Sequence, residues 1–143
     1  MKTCKEAVDL IKRFEGLRLR AYKCPADVWT IGYGSTLGVQ DGMIISAHEA
    51  GEFLERDLKR FEGGVTRLCG AVAQPNQFGA LVSFAFNLGL GALQRSTLRQ
   101  KVLRGDHSDV PAEFMKWTRG GGRILPGLVK RRAAEAELYA SAQ

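Results

Sequence analysis

Apolar residues recur at helical spacing from the start of the chain. Ala7, Leu10, Ile11 and Phe14 share one face of a helix predicted over 4–15, with polar residues between them. Thr3 followed by Glu6 has the form of a capping box, and Gly16 supplies a stop. Over 28–35 the pattern changes to VWTIGYGS, β-branched and aromatic residues interleaved with glycines after the turn-like Pro25-Ala26-Asp27, which predicts a small antiparallel sheet. Helical periodicity then returns. Ser46 and Glu49 form a second capping box ahead of Ala50, Phe53, Leu54, Leu58 and Phe61, and the helix is expected to end at Gly63-Gly64. Residues 75–88 are apolar on nearly every side, as a helix enclosed by its neighbours would be, and further helices are predicted over 97–104, 111–117 and 126–139. The fold class is therefore α+β, mostly α-helical, with one small sheet.

The length of 143 residues limits the chain to a single domain over 1–143, and 45% hydrophobic with 25% charged residues places it among ordinary globular proteins. The net charge of +6 is uneven, because residues 71–143 hold ten Lys/Arg against five Asp/Glu and so carry +5 of it. A basic half favours a polyanionic partner such as nucleic acid, an anionic membrane or an anionic wall polymer, with Arg95, Arg99, Lys101, Arg104, Arg131 and Arg132 as its expected surface. Three cysteines, Cys4, Cys24 and Cys69, exclude a complete disulfide framework and fit no zinc pattern. The N-terminal residues lack the apolar stretch of a signal peptide, and the longest apolar segment, 78–90, is too short to span a bilayer; the expectation is cytosolic synthesis with no stable membrane anchor.

Glu15 is the first candidate for chemistry. A carboxylate in the last turn of a helix faces the negative end of the helix dipole, which favours the protonated form that a general acid needs. The surrounding residues carry a stronger signal. Glu15-Gly16-Leu17-Arg18-Leu19-Arg20-Ala21-Tyr22, then Cys24 nine positions after Glu15, then Thr30 six further on within WTIGYG, resembles the active-site signature of the phage-type lysozymes, the endolysin muramidases. The likeness continues in Gln77-Phe78-Gly79-Ala80-Leu81, Phe86-Asn87-Leu88-Gly89, Ser96-Thr97-Leu98 and the segment from Gly121 to Glu135, so it spans essentially the whole chain.

The resemblance implies a lysozyme-like fold in which a β-sheet lobe (15–62) and a helical lobe (1–14 with 63–143) flank a cleft. It further implies hydrolysis of the β-1,4 bond between N-acetylmuramic acid and N-acetylglucosamine in bacterial peptidoglycan. Glu15 would protonate the leaving oxygen, and Cys24, where many relatives carry Asp, would place or deprotonate a water together with Thr30, without a covalent adduct. Such an inverting arrangement needs space for the water, with the two groups about 6.5–9.5 Å apart. An ordinary thiol is mostly neutral at pH 7, and Lys23 beside Cys24 is expected to lower it modestly. Phe86, Asn87 and Thr97 correspond to substrate-binding positions, and Arg123, with Arg119 as a rival, is expected to pair with Glu15 and orient it. No cofactor or metal is implied. The implied biology is a monomer, made in the host cytoplasm, that reaches the periplasm through a holin pore and acts there on the wall.

Other residues receive plainer readings. Asp27 is read as a turn residue, and Trp29 and Trp117 as packing residues. His48 and His107 have no partners that suggest a metal site or a nucleophile triad. The sequence leaves two rival functions open: a lytic transglycosylase, which needs only Glu15 and leaves 1,6-anhydro products, and a basic nucleic-acid-binding domain, for which no recognition motif is present.

Overall fold

The structure is a computed structural model and describes residues 1–70, 72 and 74–141. Helix α1 (Lys5–Glu15) buries Ala7, Leu10 and Ile11, the stripe expected of it. Its predicted capping box does not form. Thr3 turns instead to Glu62, whose Oε2 accepts from the Thr3 N–H at 2.7 Å and the Thr3 hydroxyl at 2.6 Å, leaving Cys4 at the N-cap without a side-chain capping bond. Gly16, at φ +74°, closes the helix with its N–H on the Lys12 carbonyl at 3.0 Å.

Strands β1 (Arg18–Lys23) and β2 (Trp29–Gly32) pair antiparallel with Tyr22 opposite Thr30, forming the predicted small sheet. The chain then enters α2 (Ala47–Cys69) through the Ser46/Glu49 capping box, present with both reciprocal bonds. This helix does not end at Gly63-Gly64 as expected. A Cβ on Gly64 would lie 2.5 Å from the Leu90 side chain, so a glycine there admits a close neighbour and does not mark a stop. The helix continues to Cys69 and ends before Gly70.

Helix α3 (Pro75–Leu88) is the expected central helix, buried continuously from Phe78 to Ala85 and packed against α1, α2 and the C-terminal helix α7 (Pro126–Ala140). Between them lie α4 (Leu90–Gln94), which the apolar pattern did not separate from α3, and α5 (Thr97–Arg104), as predicted. A 3-10 turn (His107–Asp109) leads into α6 (Val110–Phe114), shorter than the predicted 111–117. Trp117 lies beyond α6, edge-on to Phe84 at 5.5 Å. The triple glycine closes a short hairpin, β3 (Arg119–Gly120) with β4 (Arg123–Ile124), turning through positive φ at Gly121 and Gly122.

Two apolar clusters result. The larger gathers Ile11, Leu58, Phe78, Leu81, Phe84, Phe114 and others from the helices, and the smaller joins Ile31, Val39 and Ile45 to Ala50. Ala50 and Leu58 belong to the same helix, so α2 runs from one cluster into the other. Among the described residues no helix is long and apolar enough to cross a membrane.

The expected basic surface needs correction. Arg131 and Arg132 are 3% and 0% exposed, held inside by carboxylates described below. Lys101 is partly buried against Glu113 at 2.9 Å, and Arg99 donates to the Leu68 carbonyl at 2.6 Å, leaving Arg95 and Arg104 as the exposed cations of that set. Glu113, 3% exposed and contacted by Lys116 at 2.8 Å as well as by Lys101, is held below the usual carboxylate range, chiefly by Lys116.

Gly79 marks the tightest approach of α3 to α1, because a Cβ there would meet the Ala7 Cβ at 2.6 Å and the Cys4 Sγ at 2.9 Å. Alanine is the better helix former by about 1 kcal/mol, but overpacking a dense core costs about 1–3 kcal/mol. Gly79→Ala is therefore expected to lower the urea midpoint; an unchanged or raised midpoint would contradict the close α1–α3 contact. Stability is also expected to carry the signature of Glu113. Its contribution is present above the ordinary carboxylate range and is lost as the pH falls through its lowered pKa, so acid unfolding of Glu113→Gln should lack that component.

Candidate active site

Glu15 projects from the end of α1, where Gly16 halts the helix, and its side chain is 22% exposed. Oε2 accepts from Nη1 of Arg131 at 2.6 Å. Oε1 lies against Gly34, where an added Cβ would stand 3.5 Å from it, and both residues line the cleft. The two oxygens are thus inequivalent, one bound to a buried guanidinium and the other turned to the cleft.

That cleft, of about 580 Å³, is bounded by Glu15 and Gly34, by Arg56, Asp57 and Arg60 of α2, and by Phe86 and Asn87 at the end of α3. The α2 wall is fixed from below. Asp57 accepts from the Ser35 hydroxyl at 2.6 Å and pairs with Arg56 at 3.3 Å, while Phe61 packs on Phe86 with ring centres 5.2 Å apart. A smaller groove of about 300 Å³, beside the bonded Thr3 and Glu62, does not include Glu15.

Cys24 and Thr30 come together on the β1–β2 hairpin. The turn between the strands is closed by Cys24 N–H on the Val28 carbonyl at 3.0 Å and Asp27 N–H on the Cys24 carbonyl at 2.8 Å, with Asp27 itself at φ +63° and paired to Lys23 at 3.3 Å. Asp27 therefore occupies the turn position it was read to hold. Backbone N–H groups of Val28 and then Ala26 hold the Cys24 thiol below the usual cysteine range, and the Thr30 hydroxyl acts in the same direction. Lys23, expected to supply this effect, is engaged with Asp27 and the Trp29 ring. Thr30 is 4% exposed and donates to the Val28 carbonyl at 2.9 Å.

Of the expected binding residues, Phe86 and Asn87 line the cleft, whereas Thr97 is the exposed first residue of α5 and does not line it. Arg123 does not orient Glu15. It lies exposed on β4, and its rival Arg119 is exposed and reaches toward the Gly122 carbonyl. Arg131 takes that place because α7 packs against both α1 and α3, which brings its buried face to Glu15.

Arg131 does not stand alone. Its Nη2 donates to the Ser83 carbonyl at 3.2 Å, and its Nε donates to Glu135 Oε2 at 3.3 Å. Glu135 also accepts from the Ser83 hydroxyl at 2.5 Å. Arg132 donates through Nη2 to Asn87 Oδ1, and its Nε lies 2.9 Å from Glu135 Oε1, within ion-pair distance but outside hydrogen-bond geometry. Burial pushes the Glu135 carboxyl up and the Arg132 guanidinium down, while the attraction between their charges, and the Ser83 hydroxyl and Arg131 on Glu135, oppose it and favour the ion pair. The sequence carried one signal for this group: Glu135 stands four residues after Arg131 and three after Arg132, the spacing that puts all three on one helical face.

Residues 12–135 match the phage lysozyme family. The chain belongs to that family. It is 41% identical over 146 residues to the endolysin of Acyrthosiphon pisum secondary endosymbiont phage 1, with 99% of this chain and 100% of that protein covered. It is 43% identical over 142 residues to the endolysin of Bacillus phage B103, of which it spans 54% while 97% of this chain is covered. The muramidase domain of SpmX from Asticaccaulis excentricus superposes with a TM-score of 0.92 at 35% identity, covering 98% of each chain. The endolysin from Escherichia coli O157:H7 phage FAHEc1 gives 0.89 at 33%, covering 99% of this chain and 94% of that one. Membership makes this lysozyme a glycoside hydrolase of mostly helical fold.

The three thiols of this lysozyme are free and differ in environment. Burial raises Cys4 and pushes Cys69 up to about 11, whereas the hairpin amides lower Cys24. Alkylation with iodoacetamide at about pH 8, followed by peptide mass spectrometry, is expected to modify Cys24 first and Cys69 last. Faster labelling of Cys69 than of Cys24 would contradict the amide contacts.

Proposed function

We propose that this endolysin cleaves the β-1,4 bond between N-acetylmuramic acid and N-acetylglucosamine by an inverting hydrolysis, with Glu15 as the proton donor. The observation that carries the reading is the asymmetric setting of Glu15. With Oε2 bound to Arg131, the proton resides on Oε1, which faces the cleft where a glycosidic oxygen would lie. Phe86 and Asn87 supply an apolar face and an amide on the same cleft, suited to an N-acetylated sugar.

Cys24 and Thr30 form the second part of the reading. A thiol lowered by backbone N–H groups spends more time as thiolate than an ordinary cysteine, so more of it is in the charged form that can orient a water, though each thiolate is a weaker base. The Thr30 hydroxyl beside it adds a second polar group to the same face of the hairpin. Water delivered there, and not a covalent sugar adduct, completes the displacement. The protein works as a monomer, remains in the host cytoplasm until a holin pore opens, and then acts on the wall from the periplasm, with no nucleic-acid partner.

Glu15→Gln is expected to reduce lysis of purified sacculi by at least about 100-fold with the fold intact, since general acid catalysis contributes at least that much. Near wild-type lysis by this variant would remove Glu15 from the chemistry. Cys24→Asp is expected to remain active and Cys24→Ala to fail; full activity in Cys24→Ala would reduce Cys24 to packing. Mass spectrometry of the digest is expected to show reducing-end muramic acid, whereas a predominance of 1,6-anhydro products would make the enzyme a transglycosylase.

A further inference from the structure

Glu135 is 0% exposed and lies outside the cleft lining, yet it is the point on which the partners of two cleft-lining polar side chains, Glu15 and Asn87, converge. We infer that Glu135 is a positioning residue that holds Glu15 and Asn87 in place from behind, through Arg131 and Arg132 respectively. The inference rests on the assignment of Glu15 as the proton donor.

Each oxygen of Glu135 serves one arm. Oε2 takes Arg131 Nε at 3.3 Å together with the Ser83 hydroxyl at 2.5 Å, and the far edge of the same guanidinium presents Nη1 to Glu15 at 2.6 Å. Oε1 faces Arg132 Nε at 2.9 Å, and the far edge of that guanidinium reaches Asn87. A guanidinium is a rigid plane, so fixing one edge fixes the other. The α-helical spacing of residues 131, 132 and 135 places both planes over a single carboxylate. The arms are unequal: Arg131 has well-directed bonds at all three nitrogens, whereas Nε and Nη1 of Arg132 have no hydrogen-bond partner among the described residues. The Glu15 arm is therefore the stiffer one.

Charge makes the same point. Two adjacent guanidiniums, 3% and 0% exposed, are balanced by Glu135 and Glu15. Without the charge on Glu135, Arg131 would be met by Glu15 alone and Arg132 by no carboxylate, and the more positive field beside Glu15 would favour its carboxylate over the acid. The other charged groups that face Glu15 are Arg56, Asp57 and Arg60 across the cleft on α2. Glu6, Asp9 and Arg13 of α1 meet α7 on a different face, beside Glu137. From α3, Glu135 meets the uncharged Ser83.

The test is the pH dependence of hydrolysis of purified sacculi by the whole chain carrying Glu135→Gln or Ser83→Ala, with circular dichroism as the check of folding. For Glu135→Gln, kcat is expected to fall by about 10- to 100-fold through misplacement of Glu15. The alkaline limb of kcat/KM is expected to move about one pH unit toward acid. Ser83→Ala removes the hydroxyl that donates to Glu135 and accepts from Arg131 Nη2 at 3.4 Å, keeps the carboxylate and the Ser83 carbonyl, and is expected to move the limb the same way by less. A folded Glu135→Gln protein with wild-type kcat and an unmoved limb would overturn the inference. Should that variant fail to fold, Ser83→Ala decides: a displaced limb supports the role and an unmoved one overturns it. Retained lysis by Glu15→Gln would instead overturn the proton-donor assignment itself, so the two failures are distinguishable.

Discussion

The contact between Arg131 and Glu15 joins residues 116 positions apart and ties the last helix to the first at the edge of the cleft. A guanidinium taken out of water is destabilising by several kcal/mol unless its donors and its charge are met. Arg131 meets that condition by drawing on three elements at once: Glu15 at the end of α1, Ser83 on α3 and Glu135 on α7 itself. The packing of these helices and the orientation of the proposed proton donor are thus set by the same group of atoms. Small residues let the helices close: Gly79 admits α1 against α3, and Gly64 admits Leu90 against α2.

The proposed water-placing pair, which lies outside the lining of the Glu15 cleft, is built on different physics. Cys24 and Thr30 depend on a tight hairpin turn in which backbone N–H groups point at sulfur and Asp27 accepts a left-handed conformation that glycine would adopt more easily. Helix α2 links the two regions, contributing Ala50 to the small cluster beneath the sheet and Leu54, Leu58 and Phe61 to the large one. Its exposed and half-buried polar residues, Arg56, Asp57 and Arg60, form the cleft wall between.

Much of this was legible in the chain. Periodicity placed α1, α3, α5 and α7 nearly to the residue, and the Ser46/Glu49 pair marked the start of α2, because in each case local spacing and tertiary burial agree. Glu15, Cys24 and Thr30 stood out through a motif. The failures share one cause, which is long-range pairing invisible to local pattern. Thr3 looked like a cap but bonds Glu62, Gly64 looked like a stop but seats Leu90, and Arg131-Arg132 looked like surface charge but sits inside against Glu135, Glu15 and Asn87. Arg123, expected to pair with Glu15, lies on an exposed hairpin strand.

The central claim is that a planar, multiply anchored guanidinium holds Glu15 ready to donate its proton. Arg131→Lys tests it most directly, since lysine preserves the charge but cannot reach Glu15, Glu135 and the Ser83 carbonyl together. Steady-state hydrolysis of purified sacculi by this variant should show kcat reduced by at least about 10-fold, with KM and the far-UV circular dichroism close to wild type. A folded Arg131→Lys enzyme with wild-type kcat would contradict the account.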